Sequence, residues 1–331
     1  MLGAVAPDDR SHTVADESAG FTRRSLALGA AGLVAGARSP GAAARDGRPY
    51  YDRARALAGG DPVLGALAES LTPGVELPRP PAPGPVGLFD NLVMLSAGWV
   101  SAMAVLTDEG IVLIDALPSP AEAESVVVAG LREVGADPRT IRYVVVTHGH
   151  EDHFGGARYF AERWGARVLM SAADRELAAG ADPDRTPPRD LDIRDGQSLA
   201  LGGTTLRLYL TPGHTPGTVS PVVPLRAGRQ RHTAMLWGGT NPPADLAGLR
   251  TYRTSVHSFR TRMRQAGVDV ELSNHPNDHG LQRAELLRQR PEGPNPFVIG
   301  QRRAQRYLEV MDLMLRGRIA DARAAEARKA T

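Results

Sequence analysis

The stretch Thr147-His148-Gly149-His150-Glu151-Asp152-His153-Phe154-Gly155 decides the interpretation of this 331-residue chain. It places three imidazoles and two carboxylates within six residues, directly after the apolar run 141–146. Imidazole nitrogens and carboxylate oxygens suit a borderline metal ion such as zinc. The spacing lets one short loop serve two ions, with His148 and His150 at one and Asp152 and His153 at the other. The stretch therefore predicts a metal site, and the alternative is a polar surface loop that is rich in histidine by chance.

Two further histidines lie in loops whose backbone is restricted by glycine and proline. His214 occurs in Thr211-Pro212-Gly213-His214-Thr215-Pro216-Gly217, and His275 occurs in Ser273-Asn274-His275-Pro276-Asn277. Either one alone would more often be an ordinary loop histidine. Because the chain has no cysteine, every protein ligand must be histidine, aspartate or glutamate. Together with the first cluster, His214 and His275 supply the ligands that two ions still need.

Strand and helix patterns alternate around these loops, which predicts an α/β protein. The run 141–146 is rich in β-branched residues and predicts a buried strand whose carboxyl end carries the first histidine loop, where active sites of α/β sheets commonly lie. Ser119, Pro120 and Glu122 predict the start of a capped helix. The remaining patterns predict strands at 92–96, 100–106, 111–114, 166–170, 198–201, 205–210, 219–225, 233–237 and 268–272, and helices at 154–164, 246–265 and 300–316, with a further helix capped by Ser171.

The His-x-His-x-Asp-His run, the Thr-Pro-Gly-His-Thr-Pro-Gly loop and the late histidine together resemble the metallo-β-lactamase superfamily, over residues 89–290. The resemblance implies a four-layer αββα sandwich and two zinc ions per chain. One ion would be held by His148, His150 and His214, and the other by Asp152, His153 and His275. His279 is an alternative to His275, but His275 lies closer to the strand end and precedes proline, as the family pattern has it.

The branch of the superfamily is indicated by residues that the chain lacks. Glyoxalase, lactonase and nuclease members carry an aspartate that bridges both ions, whereas 233–244 contains no acidic residue. Lactamase subclasses with a cysteine ligand are excluded, because the chain has no cysteine. The chain therefore most resembles the cysteine-free subclass B3 β-lactamases. This implies an enzyme of antibiotic resistance that opens the β-lactam amide with a zinc-bound hydroxide, which Asp152 would help to orient.

Other residues are expected to support this chemistry. Asp115, at the end of a predicted strand, and Thr147 are expected to orient the ligands, with loop capping as the alternative. Glu151 is expected to face solvent. Thr240 and Asn241 fall where subclass B3 binds the carboxylate of its substrate, although the serine pattern of that branch is absent there.

Alternative functions remain open on the same ligands. A hydrolase of the same fold could act on another small-molecule ester, lactone or amide. A non-catalytic metal-binding protein would be favoured if one ligand set were incomplete. A redox diiron protein on this fold would need further carboxylates and a flavin partner domain, which the chain does not supply.

The first 44 residues predict an export signal. Thr22-Arg23-Arg24-Ser25-Leu26 precedes the apolar stretch 26–37, and Ala42-Ala43-Ala44 offers small residues for cleavage. This pattern is typical of twin-arginine signals, so the export machinery is an expected partner and the protein is expected to be periplasmic or extracellular. The alternative is a disordered tail that contains two arginines. About a dozen weakly apolar residues cannot cross ~30 Å of hydrocarbon as a helix, so no stable membrane span is expected.

The remaining chain is expected to consist of three parts. A helical and proline-rich extension covers 45–87, the hydrolase domain covers 88–318, and a tail at 319–331 is expected to fray or remain disordered. The formal net charge is +2, and no basic cluster with interleaved aromatic residues occurs. Nucleic acid is therefore not an expected partner.

Overall fold

Two β-sheets form the centre of the protein, of which the structure, a computed structural model, describes residues 46–76, 79–275 and 279–329. The first sheet contains β1 (Val86–Phe89), β2 (Leu92–Ser96), β3 (Ser101–Thr107), β4 (Gly110–Ile114), β5 (Ile141–Val145), β6 (Arg167–Met170) and β7 (Leu191–Asp192), paired in chain order. The pairs from β1 to β4 are antiparallel, and those from β4 to β7 are parallel.

The second sheet is antiparallel except at one edge. It contains β8 (Gln197–Leu201), β9 (Thr204–Leu210), β10 (Val219–Ala227), β11 (Gln230–Trp237) and β12 (Val270–Ser273), in the order β12-β11-β10-β9-β8. Only the pair β11 and β12 is parallel among these. β12 enters the sheet from a helix, which is the connection that a parallel neighbour requires.

The helices flank these sheets. They are α1 (Arg48–Ala58), α2 (Pro62–Ser70), α3 (Pro120–Glu122), α4 (Ala129–Glu133), α5 (Glu151–Phe154), α6 (Ala157–Trp164), α7 (Ala172–Ala181), α8 (Leu246–Ala266), α9 (Gly280–Gln289) and α10 (Gln301–Lys329). A π-helical segment, Ala123–Val128, joins α3 to α4, and a 3₁₀ turn, Pro138–Thr140, precedes β5. The predicted cap at Ser119 is confirmed, because its hydroxyl accepts a hydrogen bond from the Glu122 N–H (3.2 Å).

Apolar side chains form three buried layers. Between the sheets, Val145 of β5 and Leu236 of β11 belong to one cluster. The other face of the first sheet packs on a cluster that includes Phe160 of α6. The other face of the second sheet packs through Met235 of β11 on a cluster that includes Met311 of α10. Helices therefore cover both outer faces, which confirms the predicted four-layer αββα sandwich.

Backbone hydrogen bonds join the two sheets at one edge. The N–H of Val219, at the start of β10, donates to the carbonyl of Thr147 after β5 (2.7 Å). The N–H of Ser101, at the start of β3, donates to the carbonyl of Asn274 after β12 (2.7 Å). The carboxyl ends of β5 and β12 thus meet at the same edge. The loops that carry the predicted ligands leave the sheets here.

The end of the chain differs from its prediction. α10 continues to Lys329, so the described part of the tail, 319–329, is helical and not disordered. Ile319 is buried, and the carboxylate of Asp321 accepts a hydrogen bond from the Tyr51 hydroxyl (2.7 Å). An alanine-rich composition favours helix, and packing on α1 supplies the tertiary contacts that stabilise it.

The beginning of the chain is described only in part. α1 and α2, which lie in the predicted extension 45–87, share an apolar cluster with α8 and α10. The predicted export signal at 1–44 lies outside the described residues. The domain boundaries that follow from it stay predictions. Within the described ranges, no helix combines the length and apolar character that a membrane span requires.

Candidate metal centre

The six predicted ligands come from three segments of the chain and meet at the edge where the sheets join. His148 and His150 lie between β5 and α5, Asp152 and His153 lie in α5, His214 lies between β9 and β10, and His275 follows β12. His148 and His153 are buried, His150 is exposed, and the other three are half-buried. The cluster therefore has a buried base and one side that faces solvent.

His148, His150 and His214 form what we call the first triplet. The Nε2 atom of His214 lies 3.1 Å from Nε2 of His148 and 3.1 Å from Nδ1 of His150. The three imidazoles meet nearly at right angles, with interplanar angles of 85–89°. One nitrogen of each ring therefore faces a common point, as a shared cation requires.

Asp152, His153 and His275 form the second triplet. Nε2 of His153 lies 3.1 Å from Nε2 of His275, and Oδ2 of Asp152 lies 3.3 Å from each of these nitrogens. Of the two late histidines, His275 makes these contacts, whereas His279 lies at the start of α9. The triplets are adjacent, since the rings of His148 and His153 have centroids 3.9 Å apart.

The donor set fits two zinc ions. Tetrahedral zinc with Zn–N distances of about 2.0–2.1 Å sets neighbouring donors about 3.3 Å apart. Five of the six donor pairs within the two triplets are 3.1–3.3 Å apart. All six are imidazole nitrogens or carboxylate oxygens, which are the ligand types that zinc accepts in the absence of cysteine.

The outward nitrogen of four ligand histidines is held by an acceptor. Nδ1 of His148 lies 2.7 Å from the Gly238 carbonyl oxygen, and Nδ1 of His214 lies 2.6 Å from that of Asn241. Nδ1 of His275 lies 2.8 Å from the Trp99 carbonyl oxygen, and Nδ1 of His153 lies 2.7 Å from Oδ2 of Asp115. An acceptor at Nδ1 keeps a proton on that nitrogen, so Nε2 is the nitrogen that faces the other ligands. These four acceptors thus hold the rings with one nitrogen turned toward the centre.

Asp115 and Thr147 lie directly behind the ligands, where the sequence placed them. Asp115 is fully buried and has a positive φ of 62°, which few residues other than glycine adopt. Its carboxylate accepts hydrogen bonds from the N–H of Thr147 (2.7 Å), the Thr147 hydroxyl (2.9 Å) and Nδ2 of Asn274 (3.2 Å), besides the contact with His153. One carboxylate therefore connects β4, the first histidine loop and the segment after β12.

The imidazoles of the first triplet are held in their neutral form. Burial lowers the pKa of His148 well below its ordinary value and lowers the pKa of His214 to about 3. Burial also lowers the pKa of His150. Neutral imidazole is the form that binds a metal, so these residues need to lose no proton near neutral pH.

The second triplet contains an ion pair. Burial acts to raise the pKa of Asp152, but His153 and His275 hold it well below its usual range. Burial acts to lower the pKa of His153, but the carboxylates of Asp115 and Asp152 raise it to about 10. A cation held by Asp152 and His153 would therefore take the place of a proton.

The two predicted substrate contacts differ in accessibility. Thr240 is buried, and its hydroxyl has no hydrogen-bond partner within the described part of the chain. Asn241 is exposed, and its carbonyl is the acceptor for His214. Only the Asn241 side chain is open to solvent in this arrangement.

Three contributors near the site were not found from the sequence. Asn274 is fully buried and donates to Asp115 (3.2 Å), Thr147 (3.0 Å) and the Gly238 carbonyl (3.1 Å). Its position beside His275 was the one available signal.

The other two contributors lie on the side of α7. Asp174 accepts hydrogen bonds from Gly149 and Gly217, which lie in the two histidine loops. In the sequence, however, Ser171-x-x-Asp174 indicates only an ordinary helix cap. Arg185, from the segment after α7, forms an ion pair with Glu151, which is exposed as expected.

Comparisons with known proteins agree with this geometry. The family model described as the metallo-beta-lactamase superfamily matches residues 97–226. A hydroxyacylglutathione hydrolase from Acidiphilium cryptum (strain JF-5) is 37% identical over 105 residues, which are 32% of this chain and 38% of that protein. The chain thus spans less than half the length of this curated relative.

Solved structures match over a longer part of the chain. BJP-1, a subclass B3 metallo-β-lactamase of Bradyrhizobium japonicum, is 22% identical with a TM-score of 0.60, over 76% of this chain and 97% of that one. A motif mutant of a metallo-β-lactamase from Cronobacter sakazakii is 27% identical with a TM-score of 0.58, over 75% of this chain and 99% of that one. Fold, donor set and family match therefore agree: the chain has the metallo-β-lactamase fold and is similar to the metallo-β-lactamase superfamily over residues 97–226.

Proposed function

We propose that this metallo-hydrolase is an exported subclass B3-like β-lactamase that holds two zinc ions and opens the β-lactam amide. The observation that carries the proposal is the pair of adjacent triplets, which use only histidine and aspartate at spacings of 3.1–3.3 Å. The match to the Cronobacter sakazakii metallo-β-lactamase supports the choice of substrate. Two complete triplets also favour an enzyme over a protein that merely stores a metal.

The residues of the chain would divide the work between them. Bound zinc would supply Lewis acidity and lower the pKa of water to ~7. Hydrolysis adds the hydroxyl of one water to the carbonyl carbon and a proton to the leaving nitrogen. Asp152 stays ionised at neutral pH because His153 and His275 lower its pKa, so it can accept a hydrogen bond from that water and orient it.

The exposed side of the centre indicates where substrate would enter. His150 is exposed beside His214, and Asn241 is exposed where its backbone holds His214. Substrate would therefore reach the first triplet from the side of Asn241, whose amide can donate to a carboxylate. Thr240 stays a predicted contact that would require a local rearrangement to meet substrate.

Hydrolysis of hydroxyacylglutathione is the second candidate, because the Acidiphilium relative carries that name. The segment after β11 argues against it, since the aspartate that the resemblance implies for glyoxalase members is missing from 233–244. Within that segment, the Gly238 carbonyl accepts a hydrogen bond from Asn274 and contacts His148. Hydrolysis of a lactone, a further alternative, is tested in the same assay.

The deciding experiment compares substrates on the full chain loaded with zinc. A chromogenic cephalosporin, a lactone and a hydroxyacylglutathione would be assayed in parallel, beside Asp152→Ala and a chelator control. Rapid cephalosporin turnover that both controls abolish supports the lactamase. Turnover of another substrate alone, with two zinc ions bound, would reject the lactamase and retain a hydrolase of the same centre.

Export through the twin-arginine pathway is a separate part of the proposal. It rests on Arg23 and Arg24 before the apolar stretch 26–37. Replacing both arginines by lysine in a bacterial host should retain the protein in the cytoplasm and remove any resistance to β-lactams that the native chain confers. Unchanged export of the lysine variant would reject this route.

A further inference from the structure

Asp174, in the first turn of α7, lies behind the first triplet without belonging to it. Its side chain is fully buried, with 0% exposed. Its oxygens accept hydrogen bonds from the N–H of Gly149 (2.9 Å), the hydroxyl of Thr215 (2.5 Å) and the N–H of Gly217 (2.7 Å). Gly149 lies between two histidines of the first triplet, and Thr215 directly follows the third. One carboxylate thus joins both segments that carry the first triplet.

Close packing brings these segments onto the start of α7. A Cβ atom at Gly149 would lie 2.6 Å from the Asp174 carbonyl oxygen. A Cβ atom at Gly217 would lie 1.9 Å from Oγ of Ser171, the residue that caps α7. Both glycines are therefore needed for the loops to reach the Asp174 carboxylate.

We propose that Asp174 is a positioning residue that sets the spacing of the first triplet and thereby its affinity for metal, an inference that rests on the proposed function in requiring the triplet to bind an ion. Asp115 stands in a similar relation to the second triplet through its bond to His153. Each triplet thus has its own buried carboxylate. Partners behind metal ligands commonly change affinity 10–100-fold when they are replaced.

The carboxylate is required because it faces three donors. An asparagine at 174 would offer one acceptor oxygen, and its NH₂ group would itself need an acceptor. The Thr215 hydroxyl can rotate to accept, but the N–H groups of Gly149 and Gly217 cannot. Asp174→Asn would therefore leave one loop without its bond, although the side chain keeps its size.

The test measures zinc binding at one triplet at a time. In the full chain, His275→Ala disables the second triplet and His214→Ala disables the first. Zinc affinity is measured near pH 7 by competition with a chromophoric chelator. Asp174→Asn should weaken zinc binding about 10–100-fold in the His275→Ala background. It should leave the affinity unchanged in the His214→Ala background.

Asp61→Asn is the matched control. Asp61 also accepts from two backbone N–H groups at a helix start, those of Val63 (3.0 Å) and Leu64 (3.2 Å). It caps α2 in the N-terminal helices, so its replacement should leave zinc binding at both triplets unchanged. Because Asp61 also pairs with Arg303, its replacement lowers stability away from the site, and an effect on zinc that came only from lost stability would appear in both variants.

Amide hydrogen exchange supplies a second readout that needs no metal. In the chelator-treated protein, Asp174→Asn should accelerate exchange at Gly149 and Gly217 and spare amides of the helices. If Asp174→Asn does not fold, Thr215→Val decides, because a side chain of the same shape then lacks the hydroxyl that bonds to Asp174 and to Thr218. We expect a several-fold loss of zinc affinity from it, again only in the His275→Ala background.

The outcomes separate this inference from the function. Equal zinc affinities with and without Asp174→Asn in the His275→Ala background would overturn it, and so would equal losses in both backgrounds. A native chain that binds zinc without lactam turnover would reject the lactamase and leave the role of Asp174 standing. A native chain that binds no zinc would overturn both.

Discussion

The metal centre and the helical layer, by which we mean α1, α2, α8 and α10, place their charges in opposite ways. At the metal centre the carboxylates of Asp115 and Asp174 are fully buried and bonded to backbone and hydroxyl donors. In the helical layer the buried side chains are mostly apolar, as at Leu308, while ion pairs such as Arg260–Glu309 remain partly exposed. Buried polar groups cost free energy unless they are hydrogen-bonded, whereas apolar burial stabilises directly. The centre is therefore built to orient donors, and the helical layer to stabilise the fold that supports them.

The largest expected effect separates the two regions by activity. His214→Ala removes a ligand of the first triplet, and metal ligation contributes several kcal/mol to transition-state stabilisation, so turnover should fall on the order of 10³-fold. His257→Ala is the control, because His257 is half-exposed in α8 and contacts Asp312. Steady-state turnover of both variants at saturating zinc checks the prediction. A comparable loss from His257→Ala would contradict the division of roles.

The next effect separates the regions by stability. Leu308 is fully buried in α10, so Leu308→Ala should lower the free energy of unfolding by about 2–5 kcal/mol. Turnover per folded molecule should stay unchanged, because the leucine lies in the cluster of the helical layer. Leu286→Ala, at a leucine that is 42% exposed, should change stability by no more than about 0.5 kcal/mol. Urea unfolding followed by an activity assay measures both quantities, and a stable but inactive Leu308→Ala would count against the comparison.

Asp115→Asn, unlike Leu308→Ala, should act mainly on zinc affinity and turnover. The amide has one acceptor oxygen and cannot accept both from the backbone N–H of Thr147 and from Nδ1 of His153, so zinc affinity of the second triplet should fall about 10–100-fold. Turnover at limiting zinc should fall with it and recover in part when zinc is added. The measurement is turnover against free zinc for the native chain and the variant. A loss that no zinc concentration relieves would indicate a role beyond holding the ligand.

The ligands could be predicted from the sequence because their pattern is local. Four of them lie within six residues after one strand, and glycine and proline mark the loop of His214. Asp115 was accessible to the same reasoning, since it follows a strand whose neighbour carries the ligands. The sandwich followed from the resemblance that these motifs carry and from strand patterns that the structure reproduces.

The features that escaped prediction depend on contacts between distant segments. Asp174 bonds to residues 25 and 43 positions away along the chain, so its short Ser-x-x-Asp pattern indicates no more than a helix start. The helix at 319–329 depends on α1, which lies about 270 positions earlier, as the Asp321 bond to Tyr51 illustrates. Local periodicity contains no information on either contact.

Tyr252 joins the two regions and should give an intermediate result. It lies in α8, and its hydroxyl can donate to the carbonyl of Gly239 (2.8 Å) or Thr240 (2.8 Å) and accept from Trp237 Nε1 (2.8 Å). Tyr252→Phe should lower stability by about 1–2 kcal/mol, because buried acceptors lose their donor. Zinc affinity of the first triplet should fall less than about tenfold, since these carbonyls precede the one that holds His214. Tyr209→Phe, which removes a hydroxyl from the half-buried Tyr209 of β9, is the control for urea unfolding and zinc titration.

The smallest expected effect is a pH-dependent one in the helical layer. Burial acts to raise the pKa of Asp312, but hydrogen bonds from Arg253 (2.6 Å) and His257 (2.7 Å) lower it below its ordinary value. A lowered folded-state pKa stabilises the fold above the unfolded pKa of about 3.9, and this stabilisation is lost as pH falls through the folded pKa. Asp312→Asn should therefore cost about 1 kcal/mol near pH 7, since the pair is only partly buried, and the gap should close below about pH 4. Urea unfolding of zinc-free native and variant protein measures the gap. A gap that persists into strong acid would show that Asp312 acts through packing and not through its charge.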